Sequence, residues 1–293
     1  MATGNQTITT ADKHIDEVWV DGVLRSLEFK LVIAPAVDRS WDYKGHGDVY
    51  HKERIPNIES QTKSASTALN ATVYTDTEQT ITVGTYTACA IKHEDIATLL
   101  SRTNMKEEMT RKMGYSLGRS VDVNLAALAA SFSQIVGTLG VELTFDNFVR
   151  AVQYLEEAGY DMTDDVTWMI SPAQKGGLTK LDTFTNSQYV GEAAAITMHT
   201  KAKVGQFQGA PVVVSNLITS PASGQHESFL FHKEVVALIM AMEPKITKET
   251  IALDLADVVV SSQVYGYSEV DRYSETPGNI TATDEGAVLL RGV

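Results

Sequence analysis

The sequence predicts an α+β fold in which a long polar ribbon, a long helix and a mixed α/β half follow one another along the chain. Two β-patterned runs, at residues 47–56 and 80–91, flank a polar stretch at 57–72. An apolar stripe at helical spacing then runs through 104–132. Short strand-like and helix-like segments alternate over the rest of the chain, which predicts a mixed α/β half.

The composition is that of an ordinary globular protein. The chain has 293 residues, 43% of them hydrophobic and 21% charged, so we expect one large or two modest domains with an apolar core. Its start lacks the basic and then apolar pattern of a secretory signal, and no apolar run approaches the roughly 20 residues that cross a bilayer. We therefore expect a protein that is made and kept in a cytoplasm. Cys89 is the only cysteine, which excludes an internal disulfide and a site with several thiolate ligands.

The charge balance bears on nucleic acid. With 24 basic and 37 acidic residues, the formal net charge is -13, and such a surface repels phosphate. Sequence-specific binding of nucleic acid is therefore not expected, while loose confinement of nucleic acid stays open.

The amino-terminal region predicts an arm followed by a helix. Residues 1–14 are polar without apolar periodicity, so we expect a mobile arm. A helical stripe follows, with Asp12 or Thr10 as N-cap and Pro35 at the stop. The stripe consists of Ile15, Val18, Trp19, Val23, Leu27 and Leu31. It fits a helix packed on its own domain, or one docked on a neighbouring subunit or an internal partner.

The two β-patterned runs predict a two-stranded ribbon. The second run is rich in the β-branched and aromatic residues that suit strands. In the tip between the runs, Ile58 and Leu69 are the only large apolar side chains. Because a two-stranded ribbon is marginally stable alone in water, we expect this ribbon to gain its missing burial only on another copy of the same protein.

A short helical turn at 93–100 and a long helix at 104–132 should follow the ribbon. Asn104 serves as N-cap of the long helix, with Glu107 at the capping-box position. The apolar stripe comprises Met105, Met109, Met113, Leu117, Val121, Leu125 and Leu128. We interpret the methionines as core filler rather than as sulfur chemistry.

The second half predicts alternating helices and strands. Residues 144–159 form an amphipathic helix capped by Thr144 and stopped by Gly159. A buried strand at 166–170 leads into a helix start with Ser171 as N-cap and Pro172 in its first position. Further strands are expected at 212–216, within 228–242 and within 250–265.

This succession of parts resembles the major capsid proteins of tailed bacteriophages and their relatives, whose fold is called Hong Kong 97-like. The resemblance runs from about residue 15 to residue 267 and rests on the order and spacing of several segments. These segments are EVWVDGVLRSLEFKLVIAPAVDR, GDVYHKERIP, TYTACAIKHEDIA, WMISPAQKGGL, FQGAPVVVSN, FLFHKEVVALIMA and LDLADVVVSSQVYG.

The resemblance implies a division of the chain into four parts. They are an N-terminal arm at 1–40, an extended hairpin loop at 41–88, a peripheral domain at 89–139 and 246–262 with its spine helix at 104–132, and an axial domain at 140–245 and 263–293. It also implies a protein that is not an enzyme and has no catalytic, cofactor-binding or metal-binding residues.

The same resemblance implies the partners. Copies of the chain would assemble as hexamers and pentamers into an icosahedral shell around double-stranded DNA, as a virion capsid put together in the host cytoplasm, without a membrane. Relatives that carry a large cleavable scaffolding segment differ from this chain, in which about 14 residues precede the first predicted helix. A separate scaffolding protein, or none, is therefore implied. A portal, an optional decoration protein and non-specific contact with the packaged DNA are also expected. Some relatives join a loop lysine to an asparagine of a neighbour, but we interpret Lys52, Lys63 and Asn279 as solvated surface and assign no cross-link.

Catalytic interpretations rest on weaker patterns. Residues 114–118 match the G-x-S-x-G nucleophile elbow, which would make the protein a monomeric serine hydrolase with Ser116 as nucleophile, but no strand pattern leads into the motif. His46, Asp48 and His51 do not share one face of a strand, so a metal site there is not favoured. An encapsulin-like compartment, which shares the capsid fold and encloses enzymes, remains the nearer alternative.

Overall fold

The computed structural model describes the chain in segments. They are residues 31–43, 45–54, 60–66, 68–69, 77–94, 105–163, 165–181, 205–218, 221–252, 254–270, 272–273, 282–283 and 285–292. The helix predicted at 15–31 lies outside these residues except for Leu31. Most of the helical turn predicted at 93–100 also lies outside them, and its first two residues, His93 and Glu94, belong to a strand.

The elements alternate along the described part of the chain as follows. In order they are β1 (Val49–Arg54), β2 (Thr77–Thr82), β3 (Thr85–Glu94), α1 (Met105–Ala127), β4 (Gln134–Gly137), α2 (Phe145–Glu157), β5 (Val166–Ile170), α3 (Pro172–Lys180), β6 (Gln206–Phe207), β7 (Ala210–Val214), β8 (His226–His232), β9 (Val236–Ile251), β10 (Ala256–Glu269), β11 (Arg272–Tyr273), β12 (Ala282–Thr283) and β13 (Ala287–Gly292). Short 3-10 turns occupy Ala34–Ala36, Leu128–Ser131 and Lys233–Val235.

The first layer is α1 packed on an antiparallel sheet with strand order β3-β10-β9. The predicted stripe faces inward, since Met113, Leu117, Val121 and Leu125 are all buried. Polar contacts fix the packing: the Gln263 side-chain amide donates to the carbonyl of Leu117 at 2.9 Å, and Asn124 donates to the hydroxyl of Tyr265 at 2.7 Å. The predicted long helix is thereby confirmed over Met105–Ala127, with a 3-10 turn at Leu128–Ser131 in place of its last residues, while its predicted N-cap Asn104 lies outside the described residues.

The second layer is a six-stranded sheet with the order β4-β13-β8-β5-β7-β6. Strand β13 runs parallel to β4 and antiparallel to β8, and β5 runs parallel to β7 and antiparallel to β8. One face of this sheet, including Trp168 and Leu230, packs under α2. The opposite face, including Met169 and Phe229, joins the cluster that contains residues of α1. Burial on both faces explains why β5 is almost continuously apolar, and it ties the two layers together.

Local signals predicted the elements of the second half closely. Asn147 accepts the backbone N–H of Thr144 at 3.0 Å, as a capping box requires, and Gly159 takes φ +83° just beyond α2. The Ser171 hydroxyl accepts the backbone N–H of Gln174 at 3.3 Å, with Pro172 in the first position of α3. These start and stop predictions are confirmed because they depend on residues a few positions apart.

The second β-patterned run is not one strand, which corrects the sequence prediction. It divides at Val83 and Gly84: β2 pairs with β1 in the ribbon, whereas β3 pairs with β10 in the three-stranded sheet. The run is rich in β-branched residues on both sides of Gly84, and the two halves take different partner strands.

The buried face of α2 gives a stability prediction. Leu155 has no exposed surface and lies in the cluster beneath the helix. We expect Leu155→Ala to lower the free energy of unfolding by about 2 to 5 kcal/mol, because it leaves a cavity. Val149 lies on the same helix and is 37% exposed, so Val149→Ala should change that free energy by no more than about 0.5 kcal/mol. Urea unfolding of the unassembled protein measures both, and equal losses would contradict the assigned face.

Candidate assembly surface

The ribbon of β1 and β2 extends from the body with its outer surface open. Val49 lies opposite Thr82 at one end and Arg54 opposite Thr77 at the other. In the tip predicted at 57–72, the described residues, 60–66 and 68–69, are all exposed. Leu69 is 57% exposed, so its apolar side chain faces solvent in a single copy.

Contacts within the ribbon contribute little to its stability. His51 Nδ1 lies 3.0 Å from Glu78 Oε2, and at least half of each side chain is exposed. Ion pairs in such surroundings contribute about 0 to 1 kcal/mol, because solvent screens them. The ladder of β1 and β2 therefore depends on support from outside the ribbon.

The root of the ribbon has that support from its own chain. Ile81 is completely buried in a small apolar cluster with residues of β9 and the end of β10. The buried members of the cluster are Ile81, Ala237, Ile239 and Val270, and Trp41, Tyr50 and Val83 pack against it. The expectation that the ribbon is buried only by another copy is therefore wrong at the root, and it stays a prediction for the outer part.

A close backbone approach fixes the direction in which the ribbon leaves the body. A Cβ atom on Gly266 of β10 would lie 2.6 Å from the carbonyl oxygen of Thr82 and 2.9 Å from the Cα atom of Val83. The backbone N–H of Val83 donates to the carbonyl of Asp48 at 2.7 Å. The Gln79 side chain donates to the carbonyl of Glu269 at 3.2 Å. Glycine is required at 266 because any side chain would occupy the space of the crossing strand.

Aromatic side chains surround the root and remain partly open. The Lys52 ammonium lies 5.0 Å from the centroid of the Trp41 ring, within the range of a cation–π contact. The rings of Tyr43 and Tyr50 are 5.7 Å apart, and the Tyr50 hydroxyl donates to the carbonyl of His46 at 2.7 Å. Tyr43 is 37% exposed, and partly exposed Trp and Tyr are the residues enriched at protein interfaces.

The nucleophile-elbow pattern lies inside a helix. Residues 114–118 belong to α1, and Ser116 is exposed on its surface. An elbow needs a strand that turns sharply into a helix, whereas residues 105–113, immediately before Gly114, are helical. Gly118 has a packing role, since a Cβ there would lie 2.6 Å from the Leu31 side chain.

The other reactive residues in the described part of the chain form no candidate site. Among the described residues, no group of three or more His, Cys, Asp or Glu side chains is placed to hold a metal, and this search included His46, Asp48 and His51. Burial raises the pKa of the Cys89 thiol, which disfavours the reactive thiolate. In the same described ranges, no helix is long and apolar enough to cross a membrane.

Comparison with known proteins identifies the fold. No family model and no curated protein matches the sequence. A solved structure from Mycobacterium phage Che8 matches with a TM-score of 0.78 at 17% identity, covering 94% of this chain and 96% of that chain. The capsid structure of the cyanophage P-SCSP1u matches with a TM-score of 0.76 at 15% identity, covering 99% of this chain and 95% of the other. The mature capsid of bacteriophage PhiM1 matches with a TM-score of 0.72 at 14% identity, covering 95% and 92%.

These matches extend over nearly the whole of each chain, so the protein has the fold of these phage capsid structures. The predicted fold class, an α+β fold of the Hong Kong 97-like phage capsid type, is thereby confirmed. The resemblance that the order of sequence segments indicated is therefore confirmed at the level of the fold. Comparison of sequences alone found no match.

Several residues that build the surface were not found by sequence reasoning. Trp41, Ile239, Val270 and Gly266 reach the ribbon root only through long-range packing. A glycine within a β-patterned run does signal close backbone approach, and Gly266 in VYGYS carries that signal. The residues around Gly266 in the sequence do not indicate which strand approaches it.

Gly266→Ala should displace the ribbon root, because the new methyl group meets backbone atoms that have no rotamer to change. We expect a loss of about 1 to 3 kcal/mol in the free energy of unfolding, as for other overpacked sites, and a reduced yield of assembled particles. Gly84 gives a matched control, since the nearest atom to its Cβ would be a Thr82 methyl carbon at 3.9 Å. Thermal unfolding and particle counts by electron microscopy measure both variants, and an undisturbed Gly266→Ala protein would refute the crossing geometry.

Proposed function

We propose that this protein is the major capsid protein of a tailed phage, which assembles as hexamers and pentamers into an icosahedral shell around double-stranded DNA. The observation that carries this proposal is the likeness to phage capsid structures over 94% or more of the chain. The ribbon adds a physical reason for assembly, because its outer surface is exposed in a single copy.

Assembly proceeds through many modest contacts. Once a few copies have joined, each later contact is effectively intramolecular, so the combined affinity rises without new chemistry. Closed symmetry lets one chain supply both sides of every interface. The ribbon contributes backbone pairing and contact area over the long helix of a neighbour.

The proposed domains follow the resemblance: an arm at 1–40, the extended loop at 41–88, a peripheral domain at 89–139 and 246–262, and an axial domain at 140–245 and 263–293. The break in register between β9 and β10 supports the last two boundaries. It consists of two register shifts, between Ser262 and Val264 and between Val264 and Tyr265, opposite the interval from Met240 to Lys245. The exposure of β9 also changes near this break: Val236 to Ile239 are buried, whereas residues 243–250 are exposed.

The acidic balance suits a wall that contains DNA without adhering to it. The net charge of -13 opposes tight binding of phosphate, so contact with the packaged DNA is non-specific. Packaging then depends on a portal and its motor, and shell building depends on a separate scaffolding protein, with a decoration protein as an optional addition. In this proposal the protein is structural rather than enzymatic, is assembled in the host cytoplasm and ends in the virion.

Deleting residues 57–72, with a short Gly-Ser turn joining the remaining ends, tests the role of the ribbon. We expect a folded protein or capsomer that builds no closed shells, because the area offered to the neighbour is lost while the root cluster remains. The undeleted protein with Lys63→Ser serves as a control for the loss of the lysine charge alone. Negative-stain electron microscopy gives the result, and normal closed particles from the deletion variant would refute the assigned role.

Particle contents separate the proposal from its nearest alternative. A phage capsid isolated from virions holds protected double-stranded DNA, whereas an encapsulin-like compartment holds a co-purifying cargo enzyme. A monomer of 31.9 kDa with hydrolase activity that Ser116→Ala abolishes would contradict both.

A further inference from the structure

A buried carboxylate on the long helix holds the segment that leads out to the amino terminus. Asp122 of α1 has no exposed surface. Its Oδ2 atom accepts the backbone N–H groups of Val32 at 2.8 Å and Ile33 at 3.2 Å, and its Oδ1 atom accepts that of Ala34 at 2.9 Å. One side chain therefore binds three consecutive amides that lie about 90 positions earlier in the sequence.

Burying this carboxylate costs free energy. A carboxylate loses a large hydration free energy on burial, and hydrogen bonds to its charged form must compensate. The other buried residues described in α1 are all apolar, among them Val121, Leu125 and Ala126. An apolar residue at 122 would pack without this cost, but it would leave the three amides without an acceptor.

Contacts on either side of the carboxylate hold the same segment. Gly118 lies one helical turn from Asp122 on the same face of α1. Its missing side chain admits Leu31, whose Cδ1 atom would lie 2.6 Å from a Cβ there. Further along, Ile33 and Val37 are buried.

The segment ends in a pairing with β9. The backbone N–H of Asp38 donates to the carbonyl of Val236 at 2.9 Å, and the N–H of Leu238 donates to the carbonyl of Asp38 at 2.9 Å. Residues 31–38 are therefore fixed at both ends and in the middle.

We propose that Asp122 is a positioning residue for assembly: its carboxylate anchors residues 31–38 on α1, and closed shells form only when that segment is held there. The inference rests on the proposed function for its second half only. The anchored segment continues to Trp41, which packs against the ribbon root, so a displaced segment would also displace that part of the assembly surface.

Hydrogen exchange on the unassembled protein tests the anchor directly. In Asp122→Asn the amide replaces one acceptor oxygen with a donor, so we expect the amides of Val32, Ile33 and Ala34 to exchange at least about tenfold faster. Amides of β5 and β8 should keep their protection. Asp161→Asn is the matched control, because it removes the same charge from an exposed carboxylate that accepts the N–H of Thr163 at 2.9 Å.

A glycine pair tests the same anchor without changing charge. Gly118→Val should displace Leu31 and accelerate exchange at Val32 and Ile33, whereas Gly114→Val on the same helix meets nothing within 4 Å of its Cβ and should not. This pair decides the question if Asp122→Asn fails to fold. Unchanged exchange at 32–34 in the folded variants would overturn the anchor.

Particle counts by electron microscopy then test the role in assembly. We expect Asp122→Asn and Gly118→Val to lose most closed shells, while Asp161→Asn and Gly114→Val assemble like the unaltered protein. Faster exchange combined with normal shells would overturn the positioning role. If the unaltered protein and both controls formed no shells even when co-expressed with the scaffolding protein, the proposed function would fail, and the exchange result would still decide whether Asp122 is an anchor.

Discussion

Among the residues that the structure describes, the ribbon of β1 and β2 is held to the body at one end, and this constraint governs the rest of the molecule. Its root is secured by the burial of Ile81 and by the crossing of Thr82 over Gly266. Beyond the root the described residues are exposed, and a two-stranded ribbon has little stability of its own. The chain thus fixes where the ribbon starts and leaves its outer surface for another molecule.

The body behind the ribbon is built to hold that root in place. The six-stranded sheet is buried on both faces, by α2 on one side and by the cluster shared with α1 on the other. The first residues of β9 connect the ribbon root with the body. They are buried partly in the ribbon-root cluster and partly in the cluster shared with α1. A close-packed core transmits a displacement rather than absorbing it. The ribbon root and residues 31–38 are therefore coupled through the buried residues of β9.

Sequence reasoning predicted the features that depend on near neighbours. The caps at Thr144 and Ser171, the buried strand at 166–170 and the long stripe from Met113 to Leu125 follow from residues within a few turns of one another. The order of these parts was sufficient for the fold class, which the phage capsid structures bear out.

Features that depend on distant partners were not predicted. At Val83 and Gly84 the β-patterned run passes from pairing with β1 to pairing with β10. Similarly, Asp122 reads as an ordinary polar position on a helix, and only the folded chain brings the amides of residues 32–34 to its carboxylate. Periodicity measures burial along one element, whereas these two features depend on contacts between elements far apart in sequence.

A cryo-electron microscopy reconstruction of the assembled protein tests the central claim most directly. The account predicts a closed shell in which the outer part of each ribbon, including residues 60–66, lies against an adjacent copy while Ile81 remains buried in its own chain. A shell in which the ribbon faces solvent, or lies folded along its own body, would contradict it.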